Sequence, residues 1–292
     1  MSTEIARPLP SPRRVQGFSR REREIAQAAP EERIEMTEKI RITADGKEMI
    51  LIPAGTFIMG SEEYPNESPQ RVVALPAYYI DKYPVTNEEY KRFVDSTGRR
   101  PPQGWNGTHY PEGKSDHPVE FMSWEDAKAY AGWAGKRLPT EAEWEKAARG
   151  TDGRRWPWGN EFDEAKAWTW EAHLLGDSRT TSVRAHPEGA SPYGVCEMVG
   201  QVEEWVEDWL DAYEGSSYRS VGYGKRYKVL RGGSWIFTQD HARCAYRCFE
   251  KPVGEYPEGF KGEDDQTQGP FSFDAGGPGF RCAMDAGEGE GA

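Results

Sequence analysis

No apolar run reaches the roughly 18 residues needed to cross a bilayer, so a membrane span is excluded over the 292 residues of the sequence. The first stretch carries Arg13, Arg14, Arg20, Arg21 and Arg23 with no apolar core behind them. That is unlike a secretory leader, and the expected compartment is cytoplasmic. Cysteine is scarce, with only Cys196, Cys244, Cys248 and Cys282, and reduced thiols are the default where no leader is read. Cys244-x3-Cys248 is not the C-x2-C spacing of a zinc knuckle, and no second pair accompanies it. Positive charge is scarce too: 37 Lys and Arg stand against 49 Asp and Glu, a formal net charge of -12. The one basic cluster read from the sequence, Arg13 to Arg23, lies in a polar N-terminal segment, so no nucleic-acid partner is expected for the body of the chain. Hydrophobic residues make up only 36%. Aromatics are the exception: 11 Trp and 14 Tyr exclude a disordered acidic chain, while 32 Gly and 21 Pro point to many turns.

Residues 1–44 read as an N-terminal arm, extended around Pro8, Pro10 and Pro12 and of helical composition further on. At Lys47 the texture changes. Met49 to Gly60 predicts two short strands around Pro53-Ala54-Gly55, and Arg71 to Ile80 predicts another. Three helix starts are signposted. Thr86 and Glu89 form a capping box before a helix to Thr97, with Tyr90, Phe93 and Val94 on one face. Ser123 caps a helix running to about Ala134, and Thr140 with Glu143 caps one ending near Gly150. Beyond Arg149 only short apolar pieces follow. The expected organisation is one α+β domain over 45–285, irregular and loop-rich with little regular secondary structure, and a disordered tail at 286–292.

A series of motifs then carries a resemblance. In order they are Ile52-Pro53-Ala54-Gly55-Thr56-Phe57-Ile58-Met59-Gly60, Asp81-Lys82-Tyr83-Pro84-Val85-Thr86-Asn87, and His117-Pro118-Val119 with Ser123-Trp124. Arg137-Leu138-Pro139-Thr140-Glu141-Ala142-Glu143-Trp144-Glu145 and Trp156-Pro157-Trp158-Gly159-Asn160 follow. Last come Met198-Val199-Gly200 with Glu204-Trp205, Leu230-Arg231-Gly232-Gly233-Ser234-Trp235, and Gly279-Phe280-Arg281-Cys282-Ala283. The chain resembles the formylglycine-generating enzyme (FGE-sulfatase, or sulfatase-modifying factor) family, which implies a single domain related to C-type lectins. On that fold Trp144, Trp158, Trp205 and Trp235 are expected as core anchors. Fold alone does not settle activity.

The resemblance implies a copper ion held by two thiolates, spaced C-x4-C, the first about three residues beyond the Gly-Gly-Ser. Here Phe237 stands at the first position and Ala242 or Arg243 at the second. Both ligands are missing, so copper and the formylglycine-generating oxidation are not expected; Cys244 and Cys248 are only weak catalytic candidates, for a displaced metal site. A sulfoxide-synthase branch needs three iron-binding histidines, and His109, His117, His173, His186 and His241 show no matching spacing. A structural Ca2+ site is implied at Glu197, Gly200, Val202 and Glu204, two carboxylates and two backbone carbonyls. The expected function is a repurposed, non-catalytic binding or scaffold protein. Its ligand, a protein or a small molecule, would meet Trp235, Phe237, His241, Arg243 and Arg247 in the C-terminal groove and the 252–279 loop. The alternative is an oxidative protein-modifying enzyme. The 1–44 arm is expected to dock the chain into a larger complex.

Overall fold

Strand β1 (Ile40–Ile42) opens the region that the computed structural model describes, namely residues 40–173, 179–252, 277–287 and 290–291. The two strands expected around Pro53 are β2 (Glu48–Ile52) and β3 (Gly55–Met59). The single strand expected over Arg71 to Ile80 is two, β4 (Arg71–Leu75) and β5 (Tyr78–Asp81). Pro76 lies between them, where a missing N–H interrupts a ladder. The two halves then part company: β4 pairs with β3 and stays half-exposed, whereas β5 is fully buried between β2 and the C-terminal β10 (Ala283–Asp285). The first sheet runs β1-β2-β5-β10 and is antiparallel throughout.

All three signposted helices form where their caps place them. Helix α1 (Asn87–Thr97) has both halves of the Thr86–Glu89 capping box and ends on Gly98 at φ 70°. Helix α2 (Trp124–Trp133) is capped by Ser123, and α3 (Glu141–Arg149) by the Thr140–Glu143 box. A further single turn, α4, covers Trp170–His173. The second sheet, β8-β7-β6-β9, joins β6 (Glu204–Trp209), β7 (Lys228–Arg231), β8 (Cys248–Glu250) and β9 (Gly279–Phe280). Only β6 with β9 is parallel.

Two main cores result. Tyr90, Phe93, Tyr130, Trp205 and Phe280 centre one; Ile50, Ile80, Trp144, Val206 and Val229 centre the other. The indole N–H groups of Trp124, Trp144 and Trp205 donate to the Val206 carbonyl, the Glu204 carboxylate and the Met122 carbonyl, so these rings anchor without stranding a donor. Trp158, expected as an anchor, is only half-buried.

Two expected boundaries move. The sheet starts at Ile40, not at 45, because Ile40 and Ile42 pair with Ile50 and Glu48. The tail is partly tied down: the Ala54 N–H donates to the Gly291 carbonyl at 3.1 Å, and Gly291 packs beside Leu51. Residues 1–39 of the expected arm and 253–276 of the expected loop lie outside the described residues.

Candidate functional site

The segment after Gly232-Gly233 is a tight backbone turn. Both glycines take left-handed backbone, φ 95° and 66°, and a Cβ on Gly233 would sit 2.5 Å from the His241 carbonyl oxygen. Only glycine lets the two ends of the 233–241 loop approach this closely. At the position matching the family's first copper ligand, the Phe237 ring stacks on His241 with centroids 5.0 Å apart, and His241 meets Tyr246 edge-on at 5.1 Å. Phe237 and His241 are half-buried, while Trp235 is 8% exposed. Burial pushes the His241 imidazole below its usual range, favouring the neutral ring.

Arg243 and Arg247, expected to face a ligand, are committed elsewhere. Arg243 holds Glu67 through two bonds of 2.7 and 2.8 Å, and Arg247 holds Glu141 at 2.7 and 3.0 Å while covering the Tyr213 ring. Each is 2% exposed, and both serve as internal ties between distant parts of the chain. Arg243 does form one wall of a cleft of ≈560 Å3, together with Ser61, Glu63, Arg149, Arg155 and Ala245.

The two weak catalytic candidates do not meet. Cys244 packs in the core around Trp144 and Cys248 in the core around Trp205 and Tyr246. Burial pushes the Cys244 thiol up to about 12 and the Cys248 thiol well above its usual value, with Glu203 adding to the latter. Soft-metal binding needs thiolates, and these surroundings favour the protonated thiol. Among the described residues no group of three or more His, Cys, Asp or Glu gathers as metal ligands do.

The four residues expected to hold calcium share one turn. Glu197 takes left-handed backbone at φ 51°, and its carboxylate accepts from the His186 N–H at 3.1 Å. Glu204 is held by Arg281 through Nε at 2.7 Å and Nη2 at 2.8 Å. Gly200 and Val202 are buried, and among the described residues no hydrogen bond reaches either carbonyl. Buried acceptors left open are unusual. Around the two carboxylates stand the Arg281 guanidinium, the Trp144 indole N–H, which donates to Glu204 at 2.9 Å, and the His186 ring, whose Nδ1 lies 3.1 Å from a Glu197 carboxylate oxygen.

One further carboxyl has no signature in the sequence. Glu120 precedes Phe121, itself in left-handed backbone at φ 61°, and its Oε1 is buried with no hydrogen-bond partner among the described residues. Burial raises its carboxyl to about 7, moderated by Lys114, Arg179 and the side chains of Thr180 and Trp235. Glu120 thus brings a carboxyl, its pKa raised by burial, to the Trp235 side of the segment. No local motif announces it, because its neighbours come from distant parts of the chain.

Residues 35–261 match the family model described as the sulfatase-modifying factor enzyme 1-like domain. The chain is 38% identical over 228 residues to serine/threonine-protein kinase pkn1 of Chlamydia caviae, covering 70% of this chain and 36% of that protein. It is 32% identical over 297 residues to the formylglycine-generating enzyme of Bos taurus, covering 81% and 74%. It therefore spans just over a third of the first relative's length. Among solved structures, PvdO from Pseudomonas aeruginosa superposes with a TM-score of 0.63 at 25% identity, over 85% of this chain and 98% of that one.

Proposed function

Because this chain belongs to the sulfatase-modifying factor enzyme 1-like family, we propose that it is a repurposed member which binds a ligand over the 235–246 segment without performing the family's copper oxidation. One observation supports the reading: Phe237, at the sequence position that matches a thiolate ligand, stacks on His241, which meets Tyr246 edge-on. Aromatic faces offer contact area and stacking but nothing to hold a soft cation through sulfur. Glu120 beside Trp235 supplies the polar anchor, a buried oxygen with no partner among the described residues. A ligand that donates a hydrogen bond there would satisfy it.

In the same reading the turn of Glu197, Gly200, Val202 and Glu204 holds a structural Ca2+. The open carbonyls of Gly200 and Val202 support it. The ion would stabilise the turn that feeds β6, and it takes part in no reaction step.

A thermal-shift screen of small metabolites and short peptides tests the binding role. A ligand that stabilises the wild type, and no longer stabilises Phe237→Ala or Glu120→Ala, supports it. Conversion of a cysteine-containing peptide to an aldehyde by the copper-treated, aerated protein would contradict it.

A further inference from the structure

The connection from β6 to β7 carries a second basic cluster, which is hard to see in a sequence of net charge -12. Residues 215–228 contain Arg219, Lys225, Arg226 and Lys228 and no Asp or Glu. Lys228 is internal: its ammonium lies 3.9 Å from the Trp124 ring centre and 4.1 Å from that of Trp209, and donates to the Glu207 carbonyl. The other three are exposed, and none has a carboxylate partner among the described residues. Among the described residues, Arg219 donates only to the carbonyls of Ser216 and Tyr218. Beside them Val221 is 68% exposed.

This connection is held in shape. Gly222 is buried where a Cβ would meet Leu210 Cδ2 at 2.8 Å, the Leu210 N–H donates to the Tyr227 carbonyl at 2.8 Å, and the Tyr227 ring packs edge-on against Phe249 at 5.4 Å. At its tip Gly224 and Lys225 take left-handed backbone, φ 87° and 61°. Three exposed cations with no carboxylate partner among the described residues, on an anchored frame with Tyr, Ser and Gly between them, have the make-up of an adaptable protein-contact loop.

We propose that the 215–228 connection is a docking surface for a short acidic peptide segment of a partner protein, with Arg219, Lys225 and Arg226 meeting its carboxylates and Val221 an apolar side chain among them. Size and charge favour this partner over a longer polyanion. Asp211 and Glu214 flank the surface and are exposed, and the chain as a whole is acidic. A nucleic acid strand or an anionic membrane would reach past the cations onto that repelling surround, whereas a short peptide contacts the cations alone, within a screening length of about 8 Å at physiological salt.

The test is fluorescence anisotropy with the full chain and a labelled peptide Gly-Glu-Asp-Leu-Glu-Asp-Gly, set against its uncharged isostere Gly-Gln-Asn-Leu-Gln-Asn-Gly. The acidic peptide should bind saturably and at least about tenfold tighter than the isostere, and should weaken several-fold from about 50 to 200 mM salt. Arg219→Gln, Lys225→Gln and Arg226→Gln together should cost at least about tenfold with the melting temperature unchanged. Equal binding of both peptides to the wild type, no saturable binding, or full affinity in the triple variant would overturn the proposal. So would tighter binding of an oligo-dT strand or phosphatidylserine vesicles than of the acidic peptide.

Discussion

Glu203 is a carboxyl whose protonated form is favoured by burial. It is 5% exposed, its Oε1 has no partner among the described residues, and burial raises its pKa from the ordinary 4.5 to about 8. Between those two values the native state holds a proton that the unfolded chain has released, so stability falls as pH rises through that window. Glu203→Gln removes the liability. The variant should match the wild type near pH 5 and exceed it near pH 8 by a few kcal/mol, read from urea midpoints at the two pH values. A constant difference across the range would mean that Glu203 is ionised in the native state. At this scale the sequence was readable where a residue is placed by its own neighbours. Phe237 is located by the Gly-Gly-Ser three residues before it, and the missing thiolate was visible at once. The ion pairs of Arg243 and Arg247 are not legible locally, because their partners, Glu67 and Glu141, lie 176 and 106 residues away.

Helix α3 shows the same division within one element. Its start was legible, since a capping box needs only residues three apart and both of its bonds form. Its purpose was not. Glu141 and Glu145 face inward from successive turns, and both reach Arg231 on β7, at 3.1 and 2.6 Å; Glu145 also holds Arg149 at 2.7 Å and the Gly60 N–H at 2.7 Å. Carboxylates on a helix usually mark its solvated side, and here guanidinium groups from distant strands make the interior their better place. Arg231 is fully buried, so removing one carboxylate strands charge. Glu145→Gln should destabilise by about 3–5 kcal/mol in urea unfolding, against about 1 kcal/mol for the cap change Thr140→Ala. Similar costs for the two would show that the buried pair contributes little. Pro76 was an equally local signal, and reading through it merged β4 with β5.

Across the whole molecule, two sheets of short strands are tied by the C-terminal segment, where β9 and β10 belong to different sheets with Arg281 between them. The family resemblance carried this architecture from ordered motifs, while periodicity alone would not have paired β10 with β5 or β9 with β6. The turn before β6 lies at this junction, so its occupancy should be felt globally. Millimolar Ca2+ should raise the melting temperature by several degrees over chelator-treated protein. Glu197→Gln should abolish that shift, and an equal melting temperature with and without Ca2+ would empty the site. The electrostatic interior follows the same plan, with guanidinium–carboxylate pairs in place of a larger apolar core.

Cu(I) titration of the reduced protein against a competing chromophoric chelator bears most directly on the proposal that this chain does not perform the copper oxidation. With Phe237 at the ligand position and Cys244 and Cys248 in separate cores, the wild type should leave the chelator's copper untouched. Withdrawal of one equivalent of Cu(I), lost in Cys244→Ser or Cys248→Ser, would contradict the account.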